Sequence, residues 1–333
     1  MIGVMIIPTG LGCEIGGHAG DATPAAKLLA SVCDKLILHP NVVNASDINE
    51  MPGNSLYVEG STLDRFLGGE IGLKEVRANK ILLAVNDPLS TDTQNAVNAA
   101  RVTIGADISI VELETPLEMK SHFNRDGTAS GDVEGWEKLV DQVRQYEFDA
   151  LAMQTPIQVE TNVALDYLRN GGVNPWGGVE AKASKLISSA LDKPVAHAPL
   201  ALNKEIESFS EVVDPREAAE SVSICYLHCV LKGLHKAPRL TADKSGLSVG
   251  DVDFMISPMG CWGKPHVLCQ QHKILIIMVR ENTCIINKIV DSDFFVHNYL
   301  EAAGLIAAWQ AGVHPDSVRR PIKDVEVLSR KQK

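Results

Sequence analysis

Two glycine-rich loops in this chain each hold a cysteine that is followed, five positions later, by a histidine. Cys13 and His18 form the first pair, and Cys261 and His266 form the second. Each pair comes shortly after an apolar run, and a loop at a strand end can present a thiolate as a nucleophile or a base. Two thiols that face each other across a cleft could remove and return a proton, as in cofactor-independent racemases.

Two other interpretations of these four residues stay open. Thiolate and imidazole are ligands that zinc prefers, so the set could form a Cys2His2 site, although its spacing matches no known finger or ribbon. Cysteine also packs as a small hydrophobic residue, and the histidines would then be ordinary polar residues of the loops.

The first glycine loop resembles a dinucleotide-binding fingerprint only superficially. Its third glycine is out of place, and the second predicted strand ends in His39 where an acidic ribose ligand would be needed. We therefore predict no nucleotide cofactor, and we assign no metal ligands. Backbone amides in such loops can still bind an anion. The candidates for substrate binding in the two loops are Gly10, Gly16, Gly17, Asp21, Gly260 and Gly263.

Polar side chains also follow other predicted strands. These residues are His39, Asn41, His197, Arg280, Glu281 and Asn282. Imidazole, guanidinium and carboxamide groups at one sheet edge suit a small substrate that carries a negative charge or an amide. Glu59 follows a further apolar stretch and could supply a general base. Each residue alone could be a turn or capping residue, but their repetition at one edge favours a shared site.

Composition excludes several classes of function. The net charge of −11 disfavours broad contact with nucleic acid or an anionic membrane surface. No apolar run reaches the roughly 20 residues that span a bilayer, and Ile2–Ile7 is typical of a first strand. Seven cysteines, an odd number without a compact spacing, favour free thiols in the cytoplasm. A small-molecule substrate is the expected partner, and a homo-oligomer is allowed.

Short apolar runs alternate with helix-like stretches along the whole chain. The predicted strands are Ile2–Ile7, Leu36–Leu38, Ile81–Val85, Ile108–Leu113, Ala150–Met153, Pro194–Ala196, Phe254–Ile256 and Ile274–Val279. The predicted helices are Ala25–Cys33, Gln94–Ile104, Trp136–Tyr146, Val179–Leu191, Ala218–Leu234 and Phe295–Ala311. This alternation predicts an α/β fold of mostly parallel sheet with helices on both faces, layered as in a Rossmann fold. We expect α/β lobes at 1–160 and 161–333, or one continuous domain.

Several phrases, taken together, resemble the domain of unknown function 3326 family. They are Ile7–Gly10, Gly16-Gly17, Ala19–Ala22, His39–Val42, Leu56–Gly60, Ala196–Pro199, Cys229–Leu231 with Gly233-Leu234, and Arg280–Asn282. The resemblance covers nearly the whole chain and implies one architecture, but it names no reaction. The family pattern commonly has alanine at Cys13 and tyrosine at His18, so it implies no general need for Cys13. It gives more weight to Cys261, His39, Glu59, His197 and Glu281.

We expect an enzyme that acts on a small anionic or amide-bearing metabolite at the carboxyl edge of the sheet. The best-matching class is a cofactor-independent isomerase or racemase that uses a thiol, and a thiol-dependent C–N hydrolase is next. A nucleotide- or phosphate-binding transferase and a non-catalytic ligand-binding protein stay open. The expected catalytic residues are Cys261, His39, His197, Glu59 and Cys13. The expected substrate-binding residues are the six loop positions above with Asn41, Arg280, Glu281 and Asn282.

Overall fold

A computed structural model describes residues 1–18, 21–43, 50–200, 211–218, 226–286, 288, 292–322, 324, 325 and 327. The strands in these ranges are β1 (Ile2–Met5), β2 (Lys35–Leu38), β3 (Ser55–Tyr57), β4 (Gly72–Lys74), β5 (Lys80–Asn86), β6 (Asp107–Leu113), β7 (Glu118–Phe123), β8 (Ala129–Glu134), β9 (Ala150–Gln158), β10 (Val195–Leu200), β11 (Arg239–Thr241), β12 (Phe254–Pro258), β13 (Leu275–Val279) and β14 (Phe294–Val296). The helices are α1 (Thr23–Ala30), α2 (Gly60–Leu67), α3 (Thr91–Thr103), α4 (Trp136–Val143), α5 (Thr161–Asn170), α6 (Gly177–Leu191), α7 (Tyr226–His235), α8 (Lys264–His272) and α9 (Tyr299–Gln310). Within the described ranges, none of the helices combines the length and the apolarity that crossing a membrane requires.

The first sheet contains six parallel strands in the order β14-β13-β12-β1-β2-β3. In its middle strand, Val4 lies opposite Ile37 of β2 and Met255 of β12. Successive residues of a strand point to opposite faces, and both faces are covered here. Val4 belongs to a core cluster with residues of α2 and α8, whereas Met5 belongs to a cluster with residues of α1 and α9. Burial on both faces explains why β1 is apolar at every position except its glycine.

The second sheet is built mainly from β6, β5, β9 and β10, which run parallel to one another. The end of β9 also pairs with β7, where Met119 lies opposite Ile157, and β8 joins β7 as an antiparallel hairpin. Leu82 packs with α4 and α6, whereas Leu83 faces α3 and α7 on the other side. The predicted α/β class, with mostly parallel sheets and helices on both faces, is confirmed.

The two sheets share a hydrophobic core. In α7, Leu227 and Leu231 belong to one cluster that also contains Leu38 of the first sheet and Leu83 of the second. The first sheet takes β1 to β3 from the start of the chain and β12 to β14 from its last third, and the second sheet uses the residues between. Strand pairing in the first sheet therefore runs across residue 160, where the sequence suggested a division between two lobes.

All eight predicted strands are present, with ends that differ by a few residues. The predicted helix over Phe295–Ala311 begins too early, because Phe295 lies in β14 and Asn298 caps α9 by accepting a hydrogen bond from the Glu301 amide. The predicted helix over Ala218–Leu234 corresponds to α7, and its residues 219–225 lie outside the described part of the chain. The short strands β3, β4 and β11 and the β7–β8 hairpin were not predicted.

Tight packing in the first sheet makes Gly3 a test of the fold. A methyl group at Gly3 would come within 2.2 Å of Cζ of Phe254, which is fully buried. We expect Gly3→Ala to lower the free energy of unfolding by about 1–3 kcal/mol through overpacking, as measured by urea denaturation. The control is Gly304→Ala in α9, where the added methyl meets no atom within 4 Å. This change should stabilise the protein by roughly 0.5–1 kcal/mol, and a Gly3→Ala protein of unchanged stability would contradict the strand packing.

Candidate active site

A cavity of about 380 Å³ lies at the carboxyl end of the first sheet. One wall is formed by the segments that follow β1, β2, β3 and β12, and the opposite wall is formed by α6 and β10 of the second sheet. Ligands of open α/β sheets bind beyond the carboxyl ends of the strands, and a cavity of this size suits a small metabolite. Six residues expected from the sequence line it, namely His39, Asn41, Glu59, His197, Cys261 and Gly263.

On the wall from the second sheet, a histidine is held between a carboxylate and a hydroxyl group. Nδ1 of His197 lies 2.9 Å from Oε1 of Glu180, and Nε2 lies 3.0 Å from the hydroxyl of Thr155. A carboxylate can only accept, so Nδ1–H of His197 donates to Glu180. The His197 side chain is fully buried, whereas the Glu180 side chain is 24% exposed. Glu180 is therefore the member of this pair that a substrate in the cavity can reach.

On the wall from the first sheet, His39 is held as a neutral imidazole. Burial lowers the pKa of His39 to about 4. A hydrogen bond with the Ile7 carbonyl has a smaller effect in the opposite direction. Its Nδ1 accepts a hydrogen bond of 3.3 Å from the Asn41 backbone amide, so Nε2 carries the hydrogen of the neutral ring. Nε2 lies beside Gly60, where a Cβ would be 3.1 Å away. Asn41 in turn donates from its side chain to the Gly16 carbonyl, which ties two loops together.

Glu59 lines the cavity, but the hydrogen bonds of its carboxylate cap the helix α2 that follows it. Its carboxylate accepts from the Ser61 amide at 2.7 Å, the Ser61 hydroxyl at 2.7 Å and the Thr62 amide at 3.1 Å. These bonds engage both oxygens and cap the N-terminus of α2. Asp64, one turn further, also lines the cavity, and burial raises its pKa against the opposing charges of Lys264 and Lys185.

One face of α6 forms much of the second wall. The cavity-lining residues of this helix are Gly177, Glu180, Ala181, Ser184 and Lys185. Their spacing of three and four positions is the helical period, and the small residues among them leave room for a ligand. Glu180, Lys185 and Thr155 were not expected at the site from the sequence. The polar face of α6 was a signal that could have identified the first two, whereas the contact of Thr155 with His197 depends on strand pairing.

Three cysteine side chains meet at the cavity wall, and one of them, Cys261, lines the cavity. Sγ of Cys261 lies 3.8 Å from Sγ of Cys13 and 3.3 Å from Sγ of Cys284. Cys13 and Cys261 are each only 1% exposed, and Cys261 lines the cavity. The sequence suggested two thiols on opposite sides of a cleft, but sulfurs at this distance leave no space for a substrate carbon between them. Cys284 was not expected from the sequence.

Ionisation differs among these three thiols. Hydrogen bonds to the other two thiols, together with burial, raise the pKa of Cys13. For Cys261, the hydrogen bond with Cys13 lowers the pKa, but Cys284 and burial outweigh it and the net shift is upward. Hydrogen bonds from Cys13 and Cys261 lower the pKa of Cys284 to about 3. Cys284 therefore has the lowest pKa of the three thiols.

The histidines of the two loops do not complete a zinc site with the cysteines. His18 Nδ1 lies 2.7 Å from the Tyr167 hydroxyl. His266 has Ser257 Oγ at 3.0 Å from Nε2, and its Nδ1 accepts from the Gly263 amide at 3.2 Å. In the part of the chain that the structure describes, no three His, Cys, Asp or Glu side chains are placed to hold a metal ion.

Most of the loop glycines expected to bind a substrate do not line this cavity. Gly10, Gly16 and Gly260 adopt positive φ angles of 71°, 79° and 83°, which favour glycine at tight turns. Gly17 packs against Cys13, whose carbonyl oxygen would lie 2.0 Å from a Cβ at that position. None of these four is among the residues that line the cavity, whereas Gly263 is.

The residues after β13 and the acidic residue before α1 also lie away from the cavity wall. The Arg280 guanidinium stacks 4.8 Å above the ring of Phe295 and is exposed, as is Glu281. Asn282 is fully buried and bridges the backbone amide and carbonyl of Ile15, each at 2.9 Å. These residues lie away from the cavity because the strand that they follow, β13, is separated from β1 by β12. Asp21, just before α1, does not line the cavity either.

Comparison with known proteins places the chain in a family. A family profile described as "Protein of unknown function (DUF3326)" matches residues 2–319. The chain belongs to this family. An uncharacterized lipoprotein of Synechococcus sp. is 34% identical over 331 residues, which cover 94% of this chain and 91% of that protein. No solved structure matches the chain. The family expected from the strand-end phrases is confirmed, and the matched residues include every segment that forms the cavity.

Three neutral histidines, of which His18 and His266 are buried, predict a loss of stability in acid. Burial lowers the pKa values of His18, His39 and His266 to about 4 each. Below pH 6.5 the unfolded chain binds protons that the folded chain does not, so the free energy of unfolding falls as the pH drops towards 4. For His266 this loss amounts to roughly 3 kcal/mol at most.

The variant His266→Gln removes one of these titrations. We expect its free energy of unfolding, measured in urea at several pH values, to fall less steeply than that of the unmodified protein between pH 6.5 and pH 4.5. The exposed histidine variant His122→Gln serves as the control and should keep the original slope. Parallel curves for His266→Gln and the unmodified protein would show that His266 does not titrate in this way.

Proposed function

We propose that this protein is a cofactor-independent isomerase or racemase that moves a proton on a small carbonyl- or amide-bearing metabolite. The observation that carries the proposal is the pairing of two groups across one cavity. A carboxylate held by a buried histidine, Glu180 with His197, lies on one wall, and the neutral imidazole of His39 lies on the other. A base and a neutral hydrogen-bond donor on opposite sides of a substrate are what proton abstraction next to a carbonyl requires.

Glu180 is the proposed base. Its carboxylate is the exposed member of the pair, and the hydrogen bond from Nδ1 of His197 fixes its orientation. It would remove a proton from the carbon next to the carbonyl and leave an enolate. The proton then returns to the adjacent carbon in an isomerase, or to the opposite face of the same carbon, after the enolate turns over in the cavity, in a racemase. His197 is a positioning residue in this scheme, because Thr155 and Glu180 occupy both of its ring nitrogens.

His39 is the proposed donor to the carbonyl oxygen. A neutral imidazole with its hydrogen on Nε2 can stabilise the negative charge that develops on that oxygen without transferring a full positive charge to the site. Lys185, an exposed residue of the second wall, is the cation best placed to attract an anionic group of the substrate. It takes the role that the sequence suggested for Arg280.

Cys261 is not assigned the role of base or nucleophile. Its pKa is raised, so the group remains a thiol at neutral pH, and a thiol is a poor nucleophile. This disfavours thiol-dependent hydrolysis of a C–N bond. Glu59 is likewise assigned to the cap of α2 rather than to the chemistry.

Hydrogen exchange with solvent tests this function on a mixture of candidate substrates. The purified protein is incubated in D2O with a fractionated pool of small metabolites, and masses are compared with a protein-free sample. We expect at least one carbonyl- or amide-bearing metabolite to gain a deuterium on carbon. Glu180→Gln and His39→Gln should each slow this exchange by roughly 10²-fold or more, since proton-transfer groups contribute 10²–10⁴-fold.

The matched control is Glu137→Gln in α4, which changes the same residue type at an exposed position that does not line the cavity. It should leave the exchange rate unchanged. Exchange that persists in Glu180→Gln, or no exchange by the unmodified protein, would contradict the proposal. Cleavage of a metabolite into two products whose masses add up to substrate plus water would indicate the hydrolase instead.

We also propose a cytoplasmic location. The six cysteines of the described ranges form no disulfide and five of them are buried, which is typical of a protein from a reducing compartment. The Synechococcus relative is named a lipoprotein, which suggests a membrane anchor. Cell fractionation should recover the protein with cytoplasmic markers, and recovery in salt-washed membranes would contradict this location.

A further inference from the structure

We propose that Cys284 and Cys261 form a hydroperoxide-sensitive thiol pair that closes to a disulfide at the edge of the cavity. The two sulfurs lie 3.3 Å apart, and a disulfide bond needs about 2.05 Å, so closure requires only a small movement. Cys284 is partly exposed, and Cys261 is buried on the cavity wall. One thiol is thus open to an oxidant, and its partner is already in contact.

Backbone hydrogen bonds hold Cys284 in this position. The Thr283 carbonyl accepts from the Glu14 amide at 2.9 Å, and the Ile285 amide donates to the Leu11 carbonyl at 3.0 Å. These two bonds flank Cys284 and join its loop to the loop that carries Cys13. The thiol therefore meets Cys261 because of the fold and not because of a chance side-chain rotation.

Reactivity is concentrated on Cys284. Hydrogen bonds from the other two thiols lower its pKa to about 3, whereas the pKa values of Cys13 and Cys261 are raised. The thiolate is the form that reacts with peroxides, and exposure sets its access to them. Cys13 has the opposite properties, because it is almost fully buried and protonated. It acts as a donor that helps to stabilise the thiolate.

The reaction proceeds in two balanced steps with a hydroperoxide as the oxidant. The Cys284 thiolate attacks one peroxide oxygen, the O–O bond breaks, and Cys284 sulfenic acid and an alkoxide or hydroxide ion form. The Cys261 sulfur then attacks the sulfenic sulfur while its proton passes to the departing hydroxide, so that the disulfide forms and water leaves. The two thiols lose two electrons in total, and the peroxide gains them.

The disulfide would change the cavity itself. Cys261 lies two residues before Gly263, the N-cap of α8, and both residues line the cavity. Joining Cys261 to Cys284 fixes this part of the wall to the loop after β13. The inference does not rest on the proposed isomerase function, since thiol oxidation is read out on the protein and not on a substrate.

Two measurements on the full chain test the pair. The first is the rate of iodoacetamide labelling at each cysteine, read by peptide mass spectrometry. We expect Cys284 to react at least 10-fold faster than Cys13 and Cys261 at pH 7, and to keep most of its rate at pH 5, where an ordinary thiol is almost fully protonated. The second is peptide mapping under non-reducing conditions after treatment with hydrogen peroxide, which should reveal a Cys261–Cys284 cross-link.

Variants separate the roles of the three thiols. Cys284→Ser should abolish the cross-link, and Cys261→Ser should leave a sulfenic acid on Cys284 that dimedone traps. Cys13→Ala should still form the cross-link, and Cys229, which is buried outside the cluster, should stay reduced throughout. The pair is overturned if peroxide gives no cross-link in the unmodified protein, if Cys13 and Cys261 are joined instead, or if Cys284 labels no faster than the other two.

Discussion

Everything at the site depends on the parallel pairing of β1 with β2 on one side and with β12 on the other. This pairing places the carboxyl ends of strands from the start and from the last third of the chain side by side. The loops that carry Cys13, His39 and Cys261 then leave the sheet at the same edge. Residues separated by up to about 250 positions come into contact for this reason alone, and the buried apolar faces of β1 supply the energy that holds them there.

The second sheet turns this edge into a cavity. α6 and β10 bring Glu180 and His197 opposite the ends of β2 and β3, and the shared core around α7 fixes the distance between the two walls. Neither wall contains a complete set of groups for proton transfer. The carboxylate comes from one sheet and the neutral imidazole from the other, so the chemistry that we propose is a property of the packing of the two sheets.

Patterns that are local in the sequence predicted most of the strands and helices. Features that depend on contacts between distant parts of the chain were not predicted. The apolar runs of β1, β5 and β13 predicted strands because burial on both faces leaves few polar positions. The hairpin strand β7 was missed because most of its residues are exposed, so its apolar signal is weak. At the site, predicted strand ends identified His39, His197 and Cys261 as cavity residues, although His197 lies inside β10 and not after it. Arg280 also follows a strand, but the order of strands in the sheet, which the sequence does not reveal, places it beside Phe295.

The site can form only after most of the chain has been synthesised. The strands of the second sheet lie within about 120 consecutive residues, so this sheet can assemble while the rest of the chain is still being made. The first sheet cannot, because Gly3 must wait for Phe254 before β1 gains its second neighbour. At 5–20 residues per second, that delay is roughly 10–50 s. During this time the backbone N–H and C=O groups along one edge of β1 stay unpaired, and the thiol cluster is incomplete until the last third of the chain has been made.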